Sequence, residues 1–132
     1  ATGTAVDVMA CSDTVLRAGL TPQKINLFEL VNCTVFNETH EHNLKLIPDI
    51  AGNERHYRVP VEDFRFSVME NCQQHRIEVF SAQILLVLEG YTTLRDTFGE
   101  EMTLCVGQSV FIPAQTEAYF LTQSGQCCLV QC

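Results

Sequence analysis

The sequence has no tryptophan, only four prolines and seven glycines, and 8 Lys and Arg against 16 Asp and Glu in 132 residues. Each scarcity excludes something. With Gly and Pro this sparse and 46% of the residues hydrophobic, neither a disordered low-complexity chain nor a collagen-like fibre fits. The shortage of cations leaves a formal net charge of −8. Without a Lys/Arg cluster to neutralise phosphates, a nucleic-acid partner is not expected. Long apolar runs are also missing. The charge-free stretches 79–88, 102–116 and 118–132 are short or broken by Gly, Pro and Gln, whereas a membrane helix needs about 18 continuous apolar residues. No membrane partner is expected. The first residues form neither a basic n-region nor an apolar h-region, so no secretory signal is expected and the location reads as cytoplasmic.

What is present is one domain's worth of chain, able to bury roughly two-thirds of the surface it exposes when unfolded. Seven cysteines are scattered without a Cys-x-x-Cys spacing, so a zinc ribbon or a thioredoxin-like motif has no support. Only Cys127, Cys128 and Cys132 cluster. Adjacent residues on a strand point to opposite faces, so these thiols read as small buried hydrophobes of a reducing compartment.

Residues 4–10 are β-prone and residues 14–17 extend again after a Cys-Ser-Asp turn, before Gly19 and Pro22 break regular structure. Asn26 followed by Glu29, with Leu27, Leu30 and Val31 at helical spacing, predicts a short helix over 27–33. Beyond residue 34 come short β-prone runs at 44–47, 55–59, 64–69, 76–80, 84–88, 92–95, 103–106, 109–112, 118–122 and 127–131. That punctuation predicts an all-β, antiparallel sandwich or barrel preceded by one short helix; the resemblance of residues 107–113 to a cupin motif implies that it is a jelly-roll barrel. Phe64, Phe66 and Val68, and likewise Ile77 and Val79, alternate with polar residues as strands with one wet face do.

Two segments resemble the second half of a cupin barrel. Gly107, five residues and then Pro113 reproduce the opening of its second motif, but Gln115 stands where a glycine belongs and Ala118 where a histidine belongs. The first-motif His-x-His positions fall within 76–79 and the glutamate position on Gln83, so no metal is expected in this barrel. His40 and His42 lie in the polar run 37–43 and read as a solvated loop, while His56 and His75, beside Arg55 and Arg76, read as surface or strand-edge histidines.

One run remains, Val8-Met9-Ala10-Cys11-Ser12-Asp13-Thr14-Val15-Leu16-Arg17-Ala18-Gly19-Leu20-Thr21-Pro22. On composition alone Asp13 caps a turn and Arg17 answers it as an ion pair. The string also resembles, without gaps, the active-site segment of the type I mannose-6-phosphate isomerase family, Met-Ala-x-Ser-Asp-Asn-Val-x-Arg-Ala-Gly-Leu-Thr-Pro-Lys. The resemblance continues at 60–67, 84–94 and 107–114 and extends in layout to Cys132. Thr14 replaces the pattern's Asn, and Gln23 replaces the Lys after Pro, with Lys24 one residue later.

The resemblance implies that residues 1–24 are the last strand and active-site loop of a zinc-bearing catalytic cupin, and that 25–132 are a connecting helix and a metal-free, cupin-like C-terminal domain. It assigns Arg17 and Asp13 to catalysis and Lys24 to substrate binding, and it puts every zinc ligand outside this chain. The implied reaction interconverts mannose 6-phosphate and fructose 6-phosphate by proton transfer through a cis-enediol, which this chain alone is expected not to perform. A divergent sugar-phosphate isomerase and a non-catalytic cupin-like binding or scaffold module stay open as alternatives.

Overall fold

The computed structural model describes residues 3, 5–11 and 15–132. The chain divides into two compact units, Ala1–Leu44 and Lys45–Cys132. In the first, the helix α1 spans Leu27–Cys33, the predicted bounds, and the Asn26 side chain accepts from the Glu29 N–H at 3.3 Å, as the N-cap spacing requires. No residue of this helix is buried. The described residues of 5–11 and 15–17 form no strand, contrary to the extended reading of that stretch. A β-prone segment becomes a strand only where a partner strand offers a hydrogen-bonding ladder, and none pairs with it among the described residues. The polar run at 37–43 carries a short 3-10 turn, Glu41–Asn43.

The second unit is an antiparallel eight-stranded sheet: β1 Asp49–Ala51, β2 Glu54–Tyr57, β3 Arg65–Glu70, β4 His75–Glu78, β5 Gln83–Asp96, β6 Glu101–Cys105, β7 Ser109–Ile112 and β8 Ala118–Gln131. The path runs β1-β2-β3-β8-β5-β6, with β4 on β8 and β7 on β5. No strand forms over 44–47; the chain pairs instead at Asp49–Ala51, across a two-residue Gly52-Asn53 turn.

The two 14-residue strands, β5 and β8, organise the unit. The first half of β8 pairs with β4 and its second half with β3, while the first half of β5 pairs with β7 and its second half with β6. The sheet therefore has two halves sharing β5 and β8. They pack on one another, because Met69, Leu85 and Leu129 from one half and Leu94, Leu104, Tyr119 and Leu121 from the other belong to a single core cluster. Burying each such side chain stabilises the fold by roughly 1.5–3 kcal/mol.

A bulge between Val87 and Glu89 inserts one extra residue in β5. Before it the core takes the odd positions Leu85 and Val87, and after it the even positions Thr92 and Leu94. This is what an added residue does to a side-chain period of two.

Strand β3 departs from the expected facing. Met69 (1% exposed) belongs to the core cluster, and Ser67 (6%), two residues before it, shares its face. Phe66 and Val68 therefore point the other way, and Ser67 is not the wet side of the strand. Ile77 and Val79 do enter the core as their alternation predicts.

Candidate functional site

The residues singled out by the Met9–Pro22 run lie in the first unit. Arg17 is exposed on irregular chain, and Lys24 is exposed just before α1. Between them the Thr21 hydroxyl accepts from the Gln23 N–H at 3.2 Å, fixing the Thr-Pro-Gln turn that leads to Lys24. Asp13 lies outside the described residues. The ion pairs among the described residues, Arg55–Glu70, Arg58–Asp49 at 2.6 Å and Arg76–Glu78 at 2.8 Å, all belong to the second unit. Arg17 is thus an always-charged planar fork presented to solvent, the form in which guanidinium recognises phosphate or a developing oxyanion.

In the second unit the cupin ligand positions carry the wrong chemistry. Ile77 is buried on β4 and Val79 just beyond its end, Ala118 is buried on β8 opposite Glu78, and Gln83 is buried at the start of β5. The Tyr119 hydroxyl donates to Gln83 Oε1 at 3.0 Å, linking the second half of the sheet to the first across the interior. Two aliphatic side chains, a methyl and a neutral amide offer no imidazole, thiolate or carboxylate. Among the described residues no three His, Cys, Asp or Glu side chains are grouped to hold a metal ion. His40 and His42 stack with ring centroids 5.6 Å apart on the exposed turn, without a third ligand.

Burial sets the electrostatics of the interior. It pushes the Cys127 thiol up to about 12 and raises Cys72, Cys128 and the Tyr119 hydroxyl as well, because a low-dielectric interior disfavours the charged form. Cys127 and Cys128 face opposite sides of β8 and are both buried, as adjacent strand residues must if both faces are covered, whereas Cys132 is exposed.

One assignment changes. His56 is not a surface histidine: it is half-buried on β2, directly opposite Ser67, with its Nδ1 3.0 Å from the Ser67 hydroxyl. With Glu54, Arg65 and Gln131 it lines a cavity of about 270 Å³. The clue in the sequence was polar residues two apart, Glu54/His56 and Arg65/Ser67, set against the more conspicuous aromatic alternation of β3.

Residues 53–132 match the family described as mannose-6-phosphate isomerase, cupin domain. The mannose-6-phosphate isomerase of Salmonella typhimurium is 41% identical over 113 residues, 85% of this chain and 29% of that protein. The enzyme of Escherichia coli is 40% identical over the same length and the same shares. Among solved structures, the Salmonella typhimurium mannose 6-phosphate isomerase bound to its substrate fructose 6-phosphate and to zinc superposes with a TM-score of 0.79 at 35% identity, covering 90% of this chain and 30% of that one. The chain spans less than a third of the length of these relatives. Sequence, fold and the metal-poor barrel converge on one assignment: the chain belongs to the mannose-6-phosphate isomerase cupin-domain family.

Proposed function

We propose that this chain is the C-terminal part of a mannose-6-phosphate isomerase. Residues 1–24 complete the active site of the catalytic cupin, and the barrel that follows is a non-catalytic companion. The observation carrying this reading is the ungapped run from Met9 to Pro22, which holds a charged Arg17 on exposed chain. The family match over 53–132 supports it independently, from the other unit.

The reaction moves a proton between C1 and C2 of an open-chain sugar phosphate, and negative charge gathers on the enediol oxygens as it does so. A guanidinium that never deprotonates stabilises that charge without proton bookkeeping, which is the role assigned to Arg17. Asp13 orients the fork or assists ring opening, and Lys24 is the cation assigned to the substrate. The described residues do not fit a zinc site, so the zinc that the Salmonella typhimurium relative holds belongs, in this reading, to residues outside this chain. The reading places the enzyme in the cytoplasm, in keeping with its seven free cysteines.

Thr14 and Gln23, the two departures from the family string, favour a second reading in which the enzyme takes a different sugar phosphate. Turnover assays on the full-length protein, with the 132-residue chain beside it, decide between them. Conversion of mannose 6-phosphate by the former and none by the latter is expected. A full-length protein that folds, carries zinc and converts another hexose phosphate instead moves the assignment to the second reading. One that converts no sugar phosphate leaves only a cupin-like binding or scaffold module.

A further inference from the structure

The interior of the barrel is apolar along most of its length and polar at one end. Read across the ladder, one inward row is Arg65–Gln131–Gln83, and the next is His56–Ser67–Leu129, with Glu54 opposite Met69 beyond it. Side chains one row apart on the same face of a sheet are neighbours, so Glu54, His56, Arg65, Ser67 and Gln131, five polar groups from three strands, converge at this end. Together with residues of β4 they line an open cavity of about 270 Å³. That is room for a molecule of sugar size rather than a bare ion.

The charged groups of the cavity are only partly paired with one another. Arg76 is neutralised by Glu78 at 2.8 Å, but among the described residues Arg65 has no carboxylate, and Glu54 no cation, within ion-pairing distance. Half-buried Glu54 without a cation costs desolvation energy that a hydrogen-bonding ligand recovers, while exposed Arg65 keeps its charge available to an anion. At the rim Phe80 is 83% exposed, a bare aromatic face beside the opening.

We propose that this barrel end binds a small polyhydroxylated organic anion, with Arg65 taking the anionic group and Glu54, the His56–Ser67 pair and Gln131 taking hydroxyls. Hydroxyls both donate and accept, and so does this set: a carboxylate that accepts, an imidazole–hydroxyl pair that does either, and an amide that does both. A divalent cation is disfavoured because the cavity offers a guanidinium beside its carboxylates and no cluster of three ligands. A purely apolar ligand would bury these groups unsatisfied. The site lies wholly in the second unit and does not depend on the role given to Arg17.

The test titrates the 132-residue chain, with its histidine rings followed by NMR, using three sugars of one skeleton: glucose, glucuronate and glucose 6-phosphate. A saturable shift of the His56 ring with glucuronate or glucose 6-phosphate, but not with glucose, is expected; the two charged probes separate carboxylate from phosphate recognition. Arg65→Gln, a change at an exposed position that leaves the core untouched, should weaken the binding by about tenfold or more, as loss of a charge-assisted pair does. No saturable shift with either charged sugar up to about 20 mM would overturn the proposal. So would glucose binding as tightly as its charged counterparts, or unchanged affinity in a folded Arg65→Gln chain.

Discussion

Gly90 and Gly125 face each other in the β5–β8 ladder, and neither has room for a methyl group. A Cβ on Gly90 would collide with the Ser124 carbonyl, 2.8 Å from its carbon, and one on Gly125 with the Glu89 carbonyl, 2.7 Å from its carbon. Both residues also hold positive φ, +72° and +97°. Two long strands here change partners together, and the close approach of their backbones lets both continue from one half of the sheet into the other.

Gly90→Ala and Gly125→Ala should therefore each destabilise the chain by at least about 3 kcal/mol, combining left-handed backbone strain with a clash against unyielding main chain. Gly107→Ala provides the comparison, because Gly107 has a similar φ of +79° but no atom within 4 Å of a new Cβ, and its cost should stay near 1–2 kcal/mol. Urea unfolding of the three variants measures the difference. Equal losses in all three would mean that close approach at the strand pair contributes nothing.

Next to this pair, Gln123 is fully buried and bonded on both sides of its amide. Nε2 donates to the carbonyls of Glu89 at 3.1 Å and Ser124 at 3.0 Å, and Oε1 accepts from the Thr92 hydroxyl. The side chain thus satisfies carbonyls at the bulge and at the glycine pair. Gln123→Leu and Thr92→Val should each cost about 1–3 kcal/mol by orphaning buried partners. The double variant should cost less than the sum, since the second change removes a group that the first has already stranded. Strict additivity in a double-mutant cycle would show that the two side chains are not coupled.

Much of this architecture was legible in the sequence, and the omissions have physical causes. The Asn26 and Glu29 spacing located α1 because a capping signal is local. The runs 84–88 and 92–95, and likewise 118–122 and 127–131, join into single strands for a non-local reason: only the opposing strand reveals that the positive φ of Gly90 and Gly125 can sit inside an unbroken ladder. Strand β3 was read on its aromatic side because Phe66 and Val68 are the more hydrophobic set, while the fold turns Ser67 and Met69 inward. In the candidate site, Arg17 and Lys24 are singled out only by a resemblance, since nothing in their spacing alone sets them apart from other exposed cations. At the polar barrel end the alternation Glu54/His56 and Arg65/Ser67 was the local clue, but that these pairs meet Gln131 is fixed only by strand pairing distant in sequence.

The raised thiols give a pH dependence of definite sign. Burial lifts Cys127 from its ordinary 9.0 to about 12 in the folded chain, so between those values the unfolded chain has lost a proton that the folded chain keeps. Stability from this group is full below about pH 9 and falls as pH rises toward 12. Chemical denaturation from pH 8 to pH 11 should show the decline, and Cys127→Ala should flatten it. At pH 8 the exposed Cys11, Cys33, Cys105 and Cys132 should react quickly with a thiol reagent, and the buried Cys72, Cys127 and Cys128 only on unfolding. Rapid modification of Cys127 in the folded chain would contradict the burial argument.

Zinc content tests the barrel's chemistry. With Ile77, Val79, Gln83 and Ala118 at the ligand positions, the chain purified without chelator should hold far less than one equivalent of zinc by elemental analysis. One equivalent retained through gel filtration, and lost on changing His40 and His42, would overturn this expectation.

The most direct test of the functional reading is Arg17→Ala in the full-length enzyme, with kcat, KM and thermal unfolding measured on the same preparation. The account predicts a kcat lowered by about 100-fold or more, a smaller change in KM and an unchanged Tm, because the guanidinium acts on charge that develops in the transition state. Arg17→Lys should recover little, since a compact ammonium cannot reproduce the fork. A folded Arg17→Ala enzyme with near-normal kcat would contradict the account.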